Sequence, residues 1–242
     1  MQPNLLEKSA ESQNLAWLEN SSLEMLKRVL IDKVAGETAI VSSFGAESAA
    51  LLWLVAQVDK DAPLLFIDTQ MMFQETLDYQ RELADHLGLR NVRVISADAT
   101  EIRRNDVFGR LHLKDTDACC HLRKVVPLEA ALEGFDAWIT GRKRHQSASR
   151  ADIRPFEVDE ASGKTKINPL LHWDRADIEA CFAAHDLPRH PLVADGFTSI
   201  GCAPCTAKPI AGADPRSGRW AGQDKTECGI HVVGGRIERV AS

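Results

Sequence analysis

The sequence predicts an α/β fold: a mostly parallel sheet with helices on both faces. Three observations carry this. Short apolar runs, "TAIVSSF", "LLFIDT", "VRVISAD" and "FDAWITG", alternate with helix-patterned segments, the order that parallel strands joined by helical crossovers require. The first two runs lack polar alternation, as strands buried on both faces do. At 242 residues, 44% hydrophobic and 26% charged, the chain has material for one large core with a small appendage. It divides into a helical lead (1–36), an α/β domain (37–210) and a mobile C-terminal segment (211–242).

Along the chain, "SSLEMLKRVLIDKV" puts Leu23, Leu26, Leu30 and Val34 at helical spacing behind a Ser22 cap. "TAIVSSF" is the first strand, and "ESAALLWLVAQV" is the helix that follows Gly45. A "DKDAP" turn leads to the strand "LLFIDT". "ETLDYQRELADHLGL" is a helix stopped by Gly88, and "VRVISAD" is the third strand. Residues 119–132 read as a helix kinked or restarted at Pro127. "FDAWITG" is the fourth strand, and "FEVDEASGKTKINP" is a hairpin with a Ser-Gly turn. Asp174 caps a helix that runs to His185, and a tail rich in Gly and Pro follows.

The N-terminal "MQPNLLEKSAESQ" has neither a basic start nor an apolar core, so no secretory signal is expected. The longest apolar run, "AALLWLVAQV", is too short to span a bilayer. A cytoplasmic location is expected, where thiols stay reduced. Six cysteines there read as metal-binding or catalytic groups rather than staples. A net charge of −6 argues against a nucleic-acid partner, so any anion site must come from local basic clusters.

Ligands of parallel sheets bind beyond the carboxyl ends of the strands. That rule gathers "SSFGAES", "IDTQ" and "TGRKRHQ" on one rim. Ser42, Ser43 and Gly45 offer hydroxyls and backbone N–H groups at a helix start, either an anion site or a plain capping turn. The basic loop brings Arg142, Lys143, Arg144 and Arg150, and its place on the rim of an acidic protein favours polyanion binding over a solvated face.

"DACCHLRK" and "GCAPC" hold the pairs Cys119/Cys120 and Cys202/Cys205. Adjacent cysteines sit about 3.8 Å apart at Cα, less than a disulfide usually spans. Four thiols in two pairs match the count that zinc or an iron–sulfur cluster needs. Consecutive helical side chains diverge by roughly 100°, which leans toward the wider cluster and leaves zinc open. Cys181 lies within a helical pattern and reads as core. Cys228, in "KTECGIH" beside Gly229, reads as an exposed nucleophilic thiol near Lys225 and His231.

Together, "SSFGAES", "IDT", "CCHLRK", "GCAPC" and "ECGIH" resemble the assimilatory adenylyl-sulfate (APS) reductases. These are the iron–sulfur branch of the APS/PAPS reductase family, PAPS being the 3′-phosphorylated substrate. The resemblance covers roughly residues 38–231. It implies an adenine-nucleotide hydrolase-like fold and a [4Fe–4S] cluster on Cys119, Cys120, Cys202 and Cys205. It implies Cys228 as nucleophile, with Lys124 and His231 in catalytic positions. Ser42, Ser43, Phe44, Gly45, Asp68, Thr69, Gly141 and Arg142 match the segments that hold the nucleotide. Arg216 and Arg219 match arginines that reach the phosphosulfate. The reaction implied is reduction of APS to sulfite and AMP through an S-sulfocysteine, with a thioredoxin or glutaredoxin-like thiol donor. No nucleic-acid or membrane partner is implied, and a homo-oligomer is compatible.

Two departures stand out. Gln70 follows "DT" where the family usually has Gly, so this loop is expected to avoid Gly-only conformations. Residues 232–242 extend past His231 without an assignable role. Two enzymatic alternatives use the same region. A PAPS-accepting enzyme would need a further cationic pocket, for which Lys143, Arg144 and Arg150 are the candidates. An ATP-pyrophosphatase-type enzyme typically shows an SGGxDS loop, and here Phe44 and Ala46 flank a single Gly45 while Glu47 replaces the Asp. A metal-binding regulator without catalysis would give Cys228 no role.

Overall fold

Helix α1 (Leu5–Leu30) opens a computed structural model that describes residues 5–147, 150–160, 162–210, 212, 214–221, 225, 227 and 229–231. Residues 5–11 and 231 are described as backbone only. Strand β1 (Thr38–Ser42) is followed by α2 (Ser48–Val58), β2 (Leu64–Ile67), α3 (Gln74–Leu87) and β3 (Val92–Ile95). Then come α4 (Ala99–Asn105), α5 (Leu111–Lys114), α6 (Thr116–Cys120), a π turn (His121–Val125) and α7 (Val126–Ala131). Strand β4 (Ala137–Ile139) precedes the hairpin β5 (Phe156–Val158) and β6 (Thr165–Ile167), then α8 (Arg175–Ala184) and α9 (Pro191–Ala194).

The six strands lie in the order β3-β2-β1-β4-β6-β5. All neighbours are parallel except β5, which turns back antiparallel on β6. The predicted sheet is therefore present. β1 is central, with Ile40 opposite Leu64 on one side and Ile139 on the other. The chain winds outward from β1 to β3 and then crosses to β4, so the switch point that favours ligand binding lies at the end of β1.

Alternate residues of the strands feed two cores. Ile40, Leu64, Phe66 and Ile139 face the larger one, with Leu26 and Val29 of α1, Leu52 of α2, Leu83 of α3 and Phe182 of α8. Ala39, Val41, Leu65, Ile67 and Trp138 face the smaller one, closed by Leu128 and Leu132. Among the described residues no helix is long and apolar enough to cross a membrane.

Several elements start elsewhere than expected. Ser22 is not a cap, because α1 begins at Leu5 and passes through it. Its buried hydroxyl donates to the Pro169 carbonyl at 2.9 Å and accepts the Trp173 indole N–H at 3.0 Å. Leu15 and Leu18 extend the buried stripe toward the N-terminus, while Val34 lies past the helix end and is exposed. Leu15, Leu18, Leu26 and Val29 of this lead are buried in the main core. The cysteine-bearing helix begins at Thr116, capped by Asp115, whose carboxylate accepts N–H bonds from Asp117 and Ala118. The irregularity expected at Pro127 comes earlier, in the π turn, and Pro127 sits in the first turn of α7, where it needs no N–H partner. Gly88 ends α3 in a left-handed conformation, and Asp174 caps α8, both as predicted.

Candidate active site

The carboxyl ends of β1, β2 and β4 open into one cavity of about 390 Å³. Its rim carries Ser42, Ser43 and Gly45 from the first loop, Thr69 from the second, and Gly141, Arg142 and Lys143 from the third. All three predicted loops thus meet. Ser42 Oγ accepts the Phe44 N–H at 3.2 Å, which closes the turn before α2. Phe44 itself takes a left-handed backbone (φ 48°) that sends its ring into the core, edge-on to Phe66. Its ring is buried in the core and is not among the side chains lining the cavity. Asp68 is also outside the lining; its carboxylate accepts the Gln70 N–H at 2.8 Å. That bond and the one from Met71 N–H to Thr69 Oγ1 hold Gln70 at φ 60°. The loop adopts the conformation expected to need Gly, with Gln in its place.

The basic loop is largely neutralised from within. Arg142 pairs with Glu157 and donates to Asn168 Oδ1. Lys143, only 2% exposed, donates to Glu47 at 2.8 Å. Arg144 donates twice to the Ile153 carbonyl, and Arg150 holds Glu227 with two bonds of 2.7 Å. The expected surplus of loop cations is thus engaged by protein groups.

The opposite wall comes from the C-terminal part of the chain. Thr206 bridges to Arg219, the Ala207 N–H donates to the Gly218 carbonyl, and the Trp220 N–H donates to the Cys205 carbonyl. This sets Arg219 against the cysteine loop, 4.5 Å over the Trp220 ring, with a buried Nε that has no hydrogen-bond partner among the described residues. Gly201 makes room for it: a Cβ at 201 would lie 2.3 Å from the guanidinium. Arg216 lines the same wall, 3.6 Å from Glu227.

The cysteines converge beside this wall. The Ala203 N–H donates to the Met71 carbonyl, and Met72 pairs with Cys202, so the CxxC loop is stitched to the loop after β2. Thr69 Oγ1 lies 3.2 Å from Cys202 Sγ. Arg123 bridges the CC helix to the same loop, donating to Asp106 at 2.8 Å and to the Thr69 carbonyl at 2.9 Å. Burial and the neighbouring sulfurs of Cys202 and Cys205 push the Cys119 thiol up to about 11. Burial also raises Cys205, opposed by the fields of Lys124, Arg219 and Lys225. Lys124, on the π turn, therefore reaches both the cavity and the cysteines.

Four thiols on two tied segments suit a metal group. Tetrahedral zinc would draw its sulfurs to roughly 3.8 Å from one another, given Zn–S bonds near 2.3 Å. Among the described residues, the group with ligand atoms all within 4.8 Å is instead Glu19, Cys181 and His185. No three of the four paired-cysteine sulfurs lie within that distance of one another. The Glu19 group lies between α1 and α8, where His185 bonds Glu19 at 2.7 Å and stacks on Trp53. Cys181 there is core, as expected.

The phosphoadenosine phosphosulfate reductase domain matches residues 37–208. The chain belongs to this reductase family. Three relatives, each named adenosine 5′-phosphosulfate reductase, are similar over most of their length. That of Mesorhizobium japonicum is 47% identical, covering 88% of this chain and 83% of the relative. That of a Chelativorans species is 50% identical, covering 82% and 80%. That of Mycolicibacterium smegmatis is 40% identical, covering 90% and 91%. Among solved structures, the phosphate complex of phosphoadenylyl-sulfate reductase from Candida auris aligns with a TM-score of 0.66 at 24% identity, covering 86% of this chain and 99% of that one. Candida glabrata FMN adenylyltransferase aligns at 0.58 and 18% identity, covering 83% and 67%, which extends the shared fold to nucleotide-handling enzymes.

Within this reductase-family fold, Ser42, Ser43, Gly45, Thr69, Lys124, Gly141, Arg142, Arg216 and Arg219 share the cavity, with Cys202 at its edge. Cys228 and the side chain of His231 lie outside the described residues, as do residues 232–242. Their neighbours are seated. Lys225 pairs with Asp117, a Cβ on Gly229 would lie 3.1 Å from Val125, and Ile230 packs on the smaller core. Sequence reasoning missed Glu47, Arg123, Asp106 and Glu227. Their signal is a partner 17 to 96 residues away, invisible until the chain folds.

Proposed function

We propose that this chain reduces adenylyl sulfate to sulfite and AMP, in the assimilation of sulfate toward cysteine. The observation that carries the reading is one cavity walled by the strand-end loops and by Lys124, Arg216 and Arg219, with the chain on both sides of residue 228 seated beside it. The Cys228 thiolate attacks the sulfur of the phosphosulfate. A sulfur–sulfur bond forms, the sulfur–oxygen bond breaks, and AMP leaves with the electron pair. A dithiol donor of the thioredoxin or glutaredoxin type then attacks Cys228 Sγ, expels sulfite and resolves the mixed disulfide with its second thiol. The donor thereby supplies both electrons. Cations aimed at the phosphosulfate stabilise the charge that grows on the leaving phosphate.

Cys119, Cys120, Cys202 and Cys205 would hold the [4Fe–4S] cluster. When bound, it supplies a fixed local charge and ties the CC helix to the CxxC loop. Lys124, on the π turn that follows this helix, brings positive charge to the substrate. APS is favoured over PAPS because a 3′-phosphate needs a further cation, and Lys143, Arg144 and Arg150 each hold a protein partner.

The test uses anaerobically purified protein mixed with APS without reductant, followed by intact mass. One sulfo group on Cys228 is expected, and none on Cys228→Ser, which should release no sulfite. A wild-type protein without adduct, or a serine variant that still releases sulfite, overturns the reading. Comparing sulfite release from APS and PAPS decides the substrate.

A further inference from the structure

We propose that Glu227 is the positioning residue for the reacting thiol: clasped by Arg150 and Arg216, its carboxylate docks the segment that carries Cys228 against the nucleotide cavity. The inference rests on the sulfonation reading and adds a residue that the chemistry alone does not require.

The clasp is built from three directions. Arg150 Nε and Nη2 each donate to a different oxygen of Glu227 at 2.7 Å. The Ser147 hydroxyl donates to the first of these at 2.9 Å. Arg216 stands 3.6 Å from the second. Both members of the two-pronged pair are nearly closed to solvent, with side chains 8% and 10% exposed. A guanidinium that grips both oxygens of a carboxylate fixes orientation as well as distance. These cations hold the carboxyl down at about 2 against the opposing effect of burial.

The clasp also has a place in the site. Arg150, Arg216 and Glu227 all line the cavity, as does Ile230 three residues beyond Glu227. The flanking chain is fixed separately: Lys225 on Asp117 and over the Trp220 ring, Gly229 against Val125, and the Ile230 carbonyl facing Lys166 at 3.4 Å. Glu227 is the charged anchor next to Cys228, and Arg216 joins it to the wall expected to meet the phosphosulfate.

Glu227→Gln keeps the size and removes the charge, Glu227→Asp keeps the charge, and Arg150→Lys keeps a cation without the two-pronged grip. Three rates are read on the whole protein: S-sulfonation of Cys228 by APS without reductant, sulfite release by dithiothreitol from pre-sulfonated protein, and alkylation of Cys228 by neutral iodoacetamide, located by peptide mass. Alkylation is taken at its alkaline plateau, where every variant is fully thiolate. The expected result for Glu227→Gln is sulfonation slowed by about 10²-fold, the scale of a small misplacement of a reacting group. Alkylation should be faster and sulfite release undiminished. Glu227→Asp should recover part of the loss, and Arg150→Lys should fall between. Equal slowing of sulfonation and sulfite release, or wild-type alkylation and sulfonation rates in Glu227→Gln, overturns the clasp. If the wild type forms no adduct, the reaction reading fails instead, and the alkylation rates still decide whether Glu227 docks the segment.

Discussion

Two walls of one cavity bring cations to the same place and hold them differently. On the strand-end rim, Arg142, Lys143 and Arg150 meet Glu157, Glu47 and Glu227. On the C-terminal wall, Arg219 lies over Trp220 with a buried Nε that has no hydrogen-bond partner among the described residues. A basic run in sequence is therefore a poor guide to available charge. Burial requires each of these rim cations to keep its partner. On the opposite wall, the charge set against the cysteine loop is that of Arg219, which no basic run in the sequence marks.

Substitutions on each wall test this contrast. The largest effect is expected for Arg219→Ala, which should lower the rate of Cys228 sulfonation by about 10²–10³-fold, as losing one preorganised charge-stabilising donor does. Its cost in stability should stay near the 1 kcal/mol of an exposed-to-buried cation–π contact, read from the urea midpoint. Lys143→Met should do the reverse. Leaving Glu47 without its cation is expected to destabilise the fold by about 3 kcal/mol. The contrast fails if the rim variant keeps its stability or the Arg219 variant loses more of it.

Acid sharpens the comparison at the seam between the walls. The Glu227 carboxyl is held at about 2, below its ordinary 4.5. A depressed carboxyl stabilises the folded form fully above its ordinary value and loses that contribution as pH falls toward the folded one. Between pH 7 and about pH 3.5 the wild type should lose roughly 1 kcal/mol relative to Glu227→Gln, measured as the difference between their urea midpoints. The smallest effect belongs to Gln70→Gly. Relief of the left-handed strain and the added freedom of the unfolded chain nearly cancel, so the change should stay under about 1 kcal/mol.

The sheet was legible because its strands are apolar and separated by strong stop signals, Gly88 and the Asp174 cap among them. The cysteine pairs were legible because each is local, and a fold need only bring two short motifs together. Ser22 misled because a serine before an apolar stripe has the chemistry of a cap, while its actual partners, Pro169 and Trp173, lie about 150 residues away. Helices α4 and α5 went unseen in a stretch with no fully buried helical face. Gln70 misled for the opposite reason: residue preference is local, and the carboxylate of Asp68 overrode it.

Gly201 stands beside a metal-ligand candidate, yet the space left by its missing methyl is filled by the guanidinium of Arg219. One hydrogen in place of a carbon thus lets an inorganic site and an anion-gripping side chain occupy adjoining volumes. Across descendants of this sequence the two positions should change together or not at all, since an alanine at 201 would evict the arginine before it disturbed a single sulfur.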